Sequence, residues 1–404
     1  MSRLDDFLLA QIHGILREPA GILRHPFFVP GGIFHDELWD WDSFWIARAV
    51  LNAPGLDAGT KETFLRHAEG SWRNFFDHQG SNGAVPIMVK SDRPDFFGCT
   101  EEGGRETNQA KPILAQFARD ISLARSDFRW LENSFDGLLR FLSRWRDRYR
   151  SSCGLLVWGS DVAIGVDCDP TTYGRPEFSS ANLLLNCLYY RDLEAAAEIA
   201  SALDRSADAK ALEAEARTLA ACIQRECWDE TDGFFYSVDT SCADHRDRYL
   251  PGLDKGMAMT WQTLPLKIKV FTGFLPMWCG IATPDQASRL VGEHLLNSRE
   301  FQARWGVRTL ARSERMYDPD TNSANPSNWL GPIWIIANYL VWEGLRSSGF
   351  VSEAATLAGQ TRELLENDLT GTGTLHECYH PDTGKPNFNA NFLSWNILAL
   401  HMRI

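Results

Sequence analysis

Three carboxylates fall within the nine residues that open the stretch Asp161-Val-Ala-Ile-Gly165-Val-Asp167-Cys168-Asp169-Pro170. Gly165 and Pro170 argue against a continuous helix, and the residue before a proline is biased towards extended or turn geometry. The segment reads as a loop. Acids on a loop held by a rigid scaffold are a common catalytic arrangement, and equally a common set of turn formers and caps. A second acid, Glu377, stands between His376 and Cys378 in a turn-rich stretch that runs through His380-Pro381-Asp382-Thr-Gly384. Cleaving a glycosidic bond needs two such carboxyls, one protonated to help the leaving oxygen depart and one ionised to activate water or attack.

Two aromatic runs accompany the acids. Trp39-Asp40-Trp41-Asp42 lies at a loop-to-helix boundary, and Asn328-Trp329-Leu-Gly331-Pro332-Ile-Trp334 repeats the theme late in the chain. Sugars present hydroxyls at the rim and C–H groups on their faces, so Asp beside Trp supplies acceptors next to a stacking surface. The plain readings are a helix cap at Asp42 or Ser43 with two core tryptophans, and a helix start with Pro in its first turn.

The elements that must position these residues are mostly helical. Apolar spacing gives helices over 4–17, from Ser43, and over 60–77, 107–124, 126–150, 179–202 and 207–228. Further helices are expected over 263–269, 284–296, 329–348, 352–366 and 391–401, with a short strand at 233–238. That makes roughly eleven or twelve helices of ordinary length joined by long loops. No β-α alternation is sustained, no 20 to 50 residue repeat is visible, and no low-complexity linker divides the chain. One all-α domain over residues 1–404 is the expectation. The long polar stretches 83–106 and 230–256 are candidate lids.

Composition narrows the partners. At 44% hydrophobic and 23% charged the chain is globular, and its formal charge of −13 disfavours nucleic acid, which needs clustered Lys and Arg. Nine scattered cysteines, without a C-x-x-C pair or zinc spacing, suit reduced thiols in a cytoplasmic protein. The acidic N-terminus lacks a secretory pattern, and no run of ~18 apolar residues exists to span a membrane. No metal or cofactor signature is present; a homo-oligomer is compatible with everything above.

Taken in order, His35 to Trp45, Gly165 to Pro170, Asn328 to Trp334 and Glu377 to Gly384 resemble the motifs of the clan that holds trehalases and glycoside hydrolase family 63. The resemblance runs from about residue 30 to the C-terminus. It is nearest to the branch that hydrolyses mannosylglycerate and glucosylglycerate. It implies an (α/α)6 toroid and an inverting mechanism, with Asp167 as general acid and Glu377 as general base. Asp161 and Asp169 would then act on Asp167 as charged neighbours, and Trp41 and Asp42 would contact the sugar being cleaved. Gln109 resembles the polar residue of a Gln-Pro-Pro type motif that Ala110 and Lys111 interrupt here. Trp39, Trp158, Trp329, Gly331, Trp334 and Trp395 complete the expected substrate contacts. Asn328 stands where the family often has Tyr. A glycerate carboxylate calls for Arg, Lys or Tyr, with Arg175 the first choice and Arg308 or another residue the alternatives. An α-linked disaccharide is the alternative substrate. From other classes, a sugar epimerase would rely on histidines, of which His376 and His380 flank a site loop, and a sugar-binding protein would turn nothing over.

Overall fold

The helix that leaves the Trp39-Trp41 run is buried on every side. α2 (Asp40–Leu51) hides all its residues from Asp40 to Val50, and a helix without a polar face belongs in a core. It starts at Asp40, three residues earlier than Ser43, and its N-cap residue Trp39 makes no side-chain cap bond. Asp40 and Asp42 therefore occupy the first turn, where unpaired N–H groups favour carboxylates. Asp42 is not a cap: its oxygen accepts the Ser394 hydroxyl at 2.6 Å.

The computed structural model describes residues 2–100, 108–241, 261–321 and 326–403. Besides α2, its helices are α1 (Arg3–Gln11), α3 (Ala58–Asp77), α4 (Leu114–Arg125), α5 (Phe135–Tyr149), α6 (Leu183–Ala202) and α7 (Ser206–Cys227). Later come α8 (Leu275–Trp278), α9 (Pro284–Arg289), α10 (Ile335–Ser347) and α11 (Val351–Thr372), and a 3-10 segment, Ser394–Leu400, near the end. α2 packs on α4, α4 on α6, α6 on α8, α8 on α10, α10 on the 394–400 segment, and that segment on α2. The circuit closes on itself. Outside it, α3 covers α2 and α4, α7 covers α6, α11 covers α10 and α1 covers α11.

Several expected helices begin later or take another form. The 107–124 helix starts only at Leu114, after Pro112, and Thr107 lies outside the described residues. Ser126 ends α4 in a left-handed turn at φ 55°, so α5 waits until Phe135. Asn182 caps α6 by accepting the Leu184 N–H at 2.9 Å, and Ser180–Ala181 before it is extended. Leu264–Pro265 is a strand rather than a helix, pairing with Val238–Asp239, because Pro265 cannot supply a helical N–H. The 329–348 helix is helical only from Ile335, and 391–401 is the 3-10 segment. Residues 290–295 form a π-helical turn within the expected 284–296 helix.

Short antiparallel ribbons deliver the loops. Leu38–Trp39 pairs with Met88–Val89, and Cys378–Tyr379 pairs with Pro386–Phe388 through an irregular register. The candidate lids are described to residue 100 in the first case and to residue 241 in the second. No helix among the described residues is long and apolar enough to cross a membrane.

Candidate active site

A cavity of about 270 Å³ collects the ends of these ribbons and loops. Asp167 and Glu377 both line it, with Asp42, Trp39, Trp41, Trp334 and Trp395. Ribbon 38–39 and the first turn of α2 bring Trp39, Trp41 and Asp42. The acidic loop brings Asp167. Glu377 is fixed by the 377–388 hairpin, its N–H donating to the Phe388 carbonyl at 3.0 Å. Trp395 comes from the C-terminal 3-10 segment and donates its indole N–H to the Glu377 carbonyl at 3.3 Å. Phe34, Phe97 and Phe392 add aromatic wall. The volume is close to the lower end of small-ligand sites, roughly 300 Å³.

Gly165 is required here. Its φ is 90°, and a Cβ on it would stand 2.7 Å from the Trp41 ring and 2.9 Å from Lys111 Cε. Only a residue without a side chain lets the acidic loop pass this close to both.

The carboxyls are held in different ways. Glu377 is 4% exposed, and burial pushes its pKa up to about 8, against the Asn389 amide, which donates to it at 2.9 Å. The negative charges of Asp42 and Asp167 push the same way as burial. Burial raises Asp42 to about 7, opposed by the Ser394 hydrogen bond and by Lys111. Asp167 is also raised by its enclosed setting, opposed by a hydrogen bond from Ser327 and by the charge of Lys111. By surface area, however, Asp167 is exposed. It lines the cavity, and its exposure to solvent weakens the upward push. Desolvation favours the protonated form of a carboxyl, the direction a general acid needs.

Two acids of the loop serve other purposes. Asp169 is buried, and its oxygens accept from the Thr171 N–H and hydroxyl at 2.8 Å each and from Asn182 at 2.9 Å. Asp161 accepts the Gly174 N–H at 2.8 Å. Neither is among the groups that shift Asp167, which corrects the expectation that they act as its charged neighbours. They shape the loop.

Five expected contacts do not reach the cavity wall. Gln109 is buried with its amide turned to the Phe141 carbonyl at 3.5 Å; the residue of that motif that lines the cavity is Lys111. Trp158 packs against Trp145 with ring centres 5.8 Å apart. Trp329 stands behind Trp334, stacked at 3.9 Å, and is 1% exposed. Gly331 packs against Tyr317, which leaves no room for a Cβ. Arg175 pairs with Asp239, and Arg308 with Asp382 at 2.8 Å, so neither guanidinium is turned to a ligand in the cavity. Asn328 is buried, donating to the Asp318 carbonyl at 2.7 Å. His376 pairs with Asp368 at 2.9 Å, and neither it nor His380 lines the cavity.

Sequence reasoning missed Lys111, Ser327, Asn389 and Ser394, the residues that oppose the effect of burial on the acids. Lys111 sits in a stretch singled out for its neighbour Gln109. Asn389 and Ser394 follow the Glu377 hairpin, and only the fold brings them to acids. Among the described residues no group of three metal-ligating side chains exists.

Known proteins resemble this chain in sequence and in fold. A mannosylglycerate hydrolase from Thermus thermophilus is 25% identical, the match covering 92% of this chain and 95% of that one. Mannosylglycerate hydrolase MGH1 from Selaginella moellendorffii is 31% identical over 31% of this chain and 23% of its own length. In three dimensions, a glycoside hydrolase family 63 mannosylglycerate hydrolase of Thermus thermophilus, solved with glucose, superposes with a TM-score of 0.70. Its identity is 23%, with 98% of this chain and 99% of that one covered. Neutral trehalase Nth1 of Saccharomyces cerevisiae shares the fold at a TM-score of 0.67 and 16% identity, with 98% and 79% covered. The model of the mannosylglycerate hydrolase MGH1-like glycoside hydrolase domain matches residues 37–395, and the chain is a glycoside hydrolase belonging to that family.

Proposed function

We propose that the protein is an inverting α-glycosidase of small glycosides, with mannosylglycerate and glucosylglycerate as first substrates and an α-linked disaccharide next. The observation that carries this is the meeting of Asp167 and Glu377, from loops far apart in sequence, in one cavity walled by tryptophans. The names of the relatives support the glycerate aglycone. The closed circuit of helices with an outer layer supports an (α/α)6 toroid formed as one catalytic domain by residues 1–404. The eight described cysteines are free thiols, seven of them buried, which suits the cytoplasm.

In this reading Asp167 gives its proton to the glycosidic oxygen as the bond to the anomeric carbon breaks. Glu377 removes a proton from a water that attacks that carbon from the opposite face. The product sugar carries inverted configuration and both acids have exchanged protonation state, to be reset through solvent. Asp42, fixed by Ser394, accepts from sugar hydroxyls, and Trp41 offers a flat face to the ring. An epimerase is disfavoured because the histidines that flank the loop face away from the cavity.

Proton NMR of freshly formed product tests the proposal with mannosylglycerate, glucosylglycerate and trehalose as substrates. The β-anomer should appear first and then mutarotate. Initial release of the α-anomer refutes inversion, and no release from any of the three refutes the substrate class.

A further inference from the structure

One charge in the cavity wall has no part in the two-acid reaction. The Lys111 side chain is 1% exposed, and its Nζ lies 2.9 and 3.2 Å from the two oxygens of Asp40. Asp40 is fully buried and also accepts the backbone N–H groups of Trp41 and Lys111, each at 2.7 Å. The ammonium sits 5.4 Å from the centre of the Trp41 ring, and the missing side chain of Gly165 leaves room for it. Buried ion pairs are poor stabilisers, since apolar residues of similar volume often do as well or better. Anchoring alone does not account for the pair, nor for a lysine that lines the cavity.

The groups around it say what the charge does. Asp42 on α2 and Asp167 on the acidic loop line the same cavity as Lys111, and Gly165 of that loop passes against its side chain; the positive charge draws both carboxyls towards the ionised form. Glu377, on the hairpin opposite, responds to Asp42 and Asp167, and Lys111 is not among the groups acting on it. We propose that Lys111 is a positioning residue of the site, a clamped ammonium that decides which cavity carboxyl carries the proton. The ammonium favours the ionised, hydroxyl-accepting form of Asp42 and the ionised form of Asp167, and leaves Glu377 to the burial that holds its proton. Lys111 is one of the two residues that interrupt the Gln-Pro-Pro type motif, so this arrangement belongs to the chain's departure from that motif.

The inference rests on Asp167 and Glu377 being the acid and base, and its test needs no turnover. In the full-length protein labelled with 13C at Asp and Glu carboxyls, Asp167→Asn and Glu377→Gln assign the two resonances for titration by NMR. In the double variant Asp40→Asn with Lys111→Met, which removes both charges together, the Asp167 midpoint should rise by about one pH unit, the usual effect of losing a nearby opposite charge. The Glu377 midpoint should move far less. Asp40→Asn alone keeps the ammonium and should leave the Asp167 midpoint at or below that of wild type. A midpoint unchanged in the double variant, or raised equally by Asp40→Asn, overturns the proposal. Where near-UV circular dichroism shows the double variant unfolded, Lys111→Gln, which still donates to Asp40, replaces it with the same expected rise. In kcat/KM against pH on mannosylglycerate, the limb that belongs to Asp167 should shift with the NMR midpoint while the other stays. A protein inactive on mannosylglycerate whose Asp167 midpoint still rises refutes the substrate and supports the role of Lys111.

Discussion

Replacing Glu377 with Gln should abolish turnover and stabilise the protein, with a gain that depends on pH. The folded state raises this carboxyl from 4.5 to about 8, so folding opposes its ionisation. Below pH 4.5 the group is neutral in both states and costs nothing. Between 4.5 and 8 the unfolded chain has lost the proton that the folded chain keeps, and stability falls as pH rises. Above pH 8 the deficit is constant. At about 1.36 kcal/mol per pKa unit the upper bound is about 5 kcal/mol. Cavity water and the changed hydrogen bond to Asn389 reduce the expected net gain to roughly 2 to 4 kcal/mol. With an unfolding entropy of about 2.1 cal/mol/K per residue over 404 residues, 3 kcal/mol corresponds to a rise in Tm of about 3 to 4 °C. Differential scanning calorimetry of both proteins at matched scan rate, from pH 4.5 to 8.5, provides the measurement. The Tm difference should be near zero at the acid end and grow to its full value by pH 8. A difference independent of pH, or a variant less stable than wild type at pH 8, would refute the claim that burial holds a proton on Glu377.

Three further outcomes follow from the same contacts. Asp167→Asn should lower kcat by about 10²- to 10⁴-fold on natural glycosides, the usual contribution of a general acid, yet retain most activity on an α-glycosyl fluoride, whose leaving group needs no proton; equal losses on both would count against the acid role. Gly165→Ala should destabilise by roughly 1 to 3 kcal/mol, because its Cβ meets Trp41 at 2.7 Å from a left-handed backbone, and urea unfolding with no loss of stability would show that the loop has room. Ser394→Ala removes a bond that lowers the pKa of Asp42, itself at about 7. More of Asp42 is then neutral at pH 7, so KM should rise severalfold there and recover above pH 8, where the carboxylate again accepts strongly from sugar hydroxyls; a KM increase of the same size at every pH would point to packing instead.

How far the site could be read from the chain depends on whether its signal was local. As candidate acids Asp167 and Glu377 were legible because each lies in a turn-rich stretch, and the fold brings both to one cavity; the roles proposed for them come from the resemblance. The helical character was legible because apolar spacing repeats over long runs. The starts of helices were less so: Pro112 and Pro265 each withhold an N–H, Asn182 competes for backbone donors, and the stretches around them yield to loops or extended chain. Lys111 shows the deeper difficulty. Its counter-charge Asp40 lies 71 residues away, and nothing in Gln109-Ala-Lys-Pro112 indicates that the lysine turns to the cavity while the glutamine turns to Phe141.

The tryptophans separate composition from placement most clearly. Trp329 and Trp334 share one short run and were expected to play one role, yet they stack face to face at 3.9 Å with only Trp334 on the cavity wall. Trp329 rests in turn on Phe271, 5.9 Å away, so the wall is three rings deep at this point. A sugar stacking on Trp334 meets a surface that its backing ring holds flat. Stacked aromatic pairs are worth about 0.5 to 1.5 kcal/mol beyond burial, and the outer ring loses little entropy when substrate arrives because its rotamer is already fixed. Trp329→Ala should therefore weaken binding through a residue that touches no sugar, raising KM while leaving the pH limbs set by Asp167 and Glu377 in place. A shifted limb in that variant would mean that the ring also shapes the acids, and the division between stacking wall and charged wall would not hold.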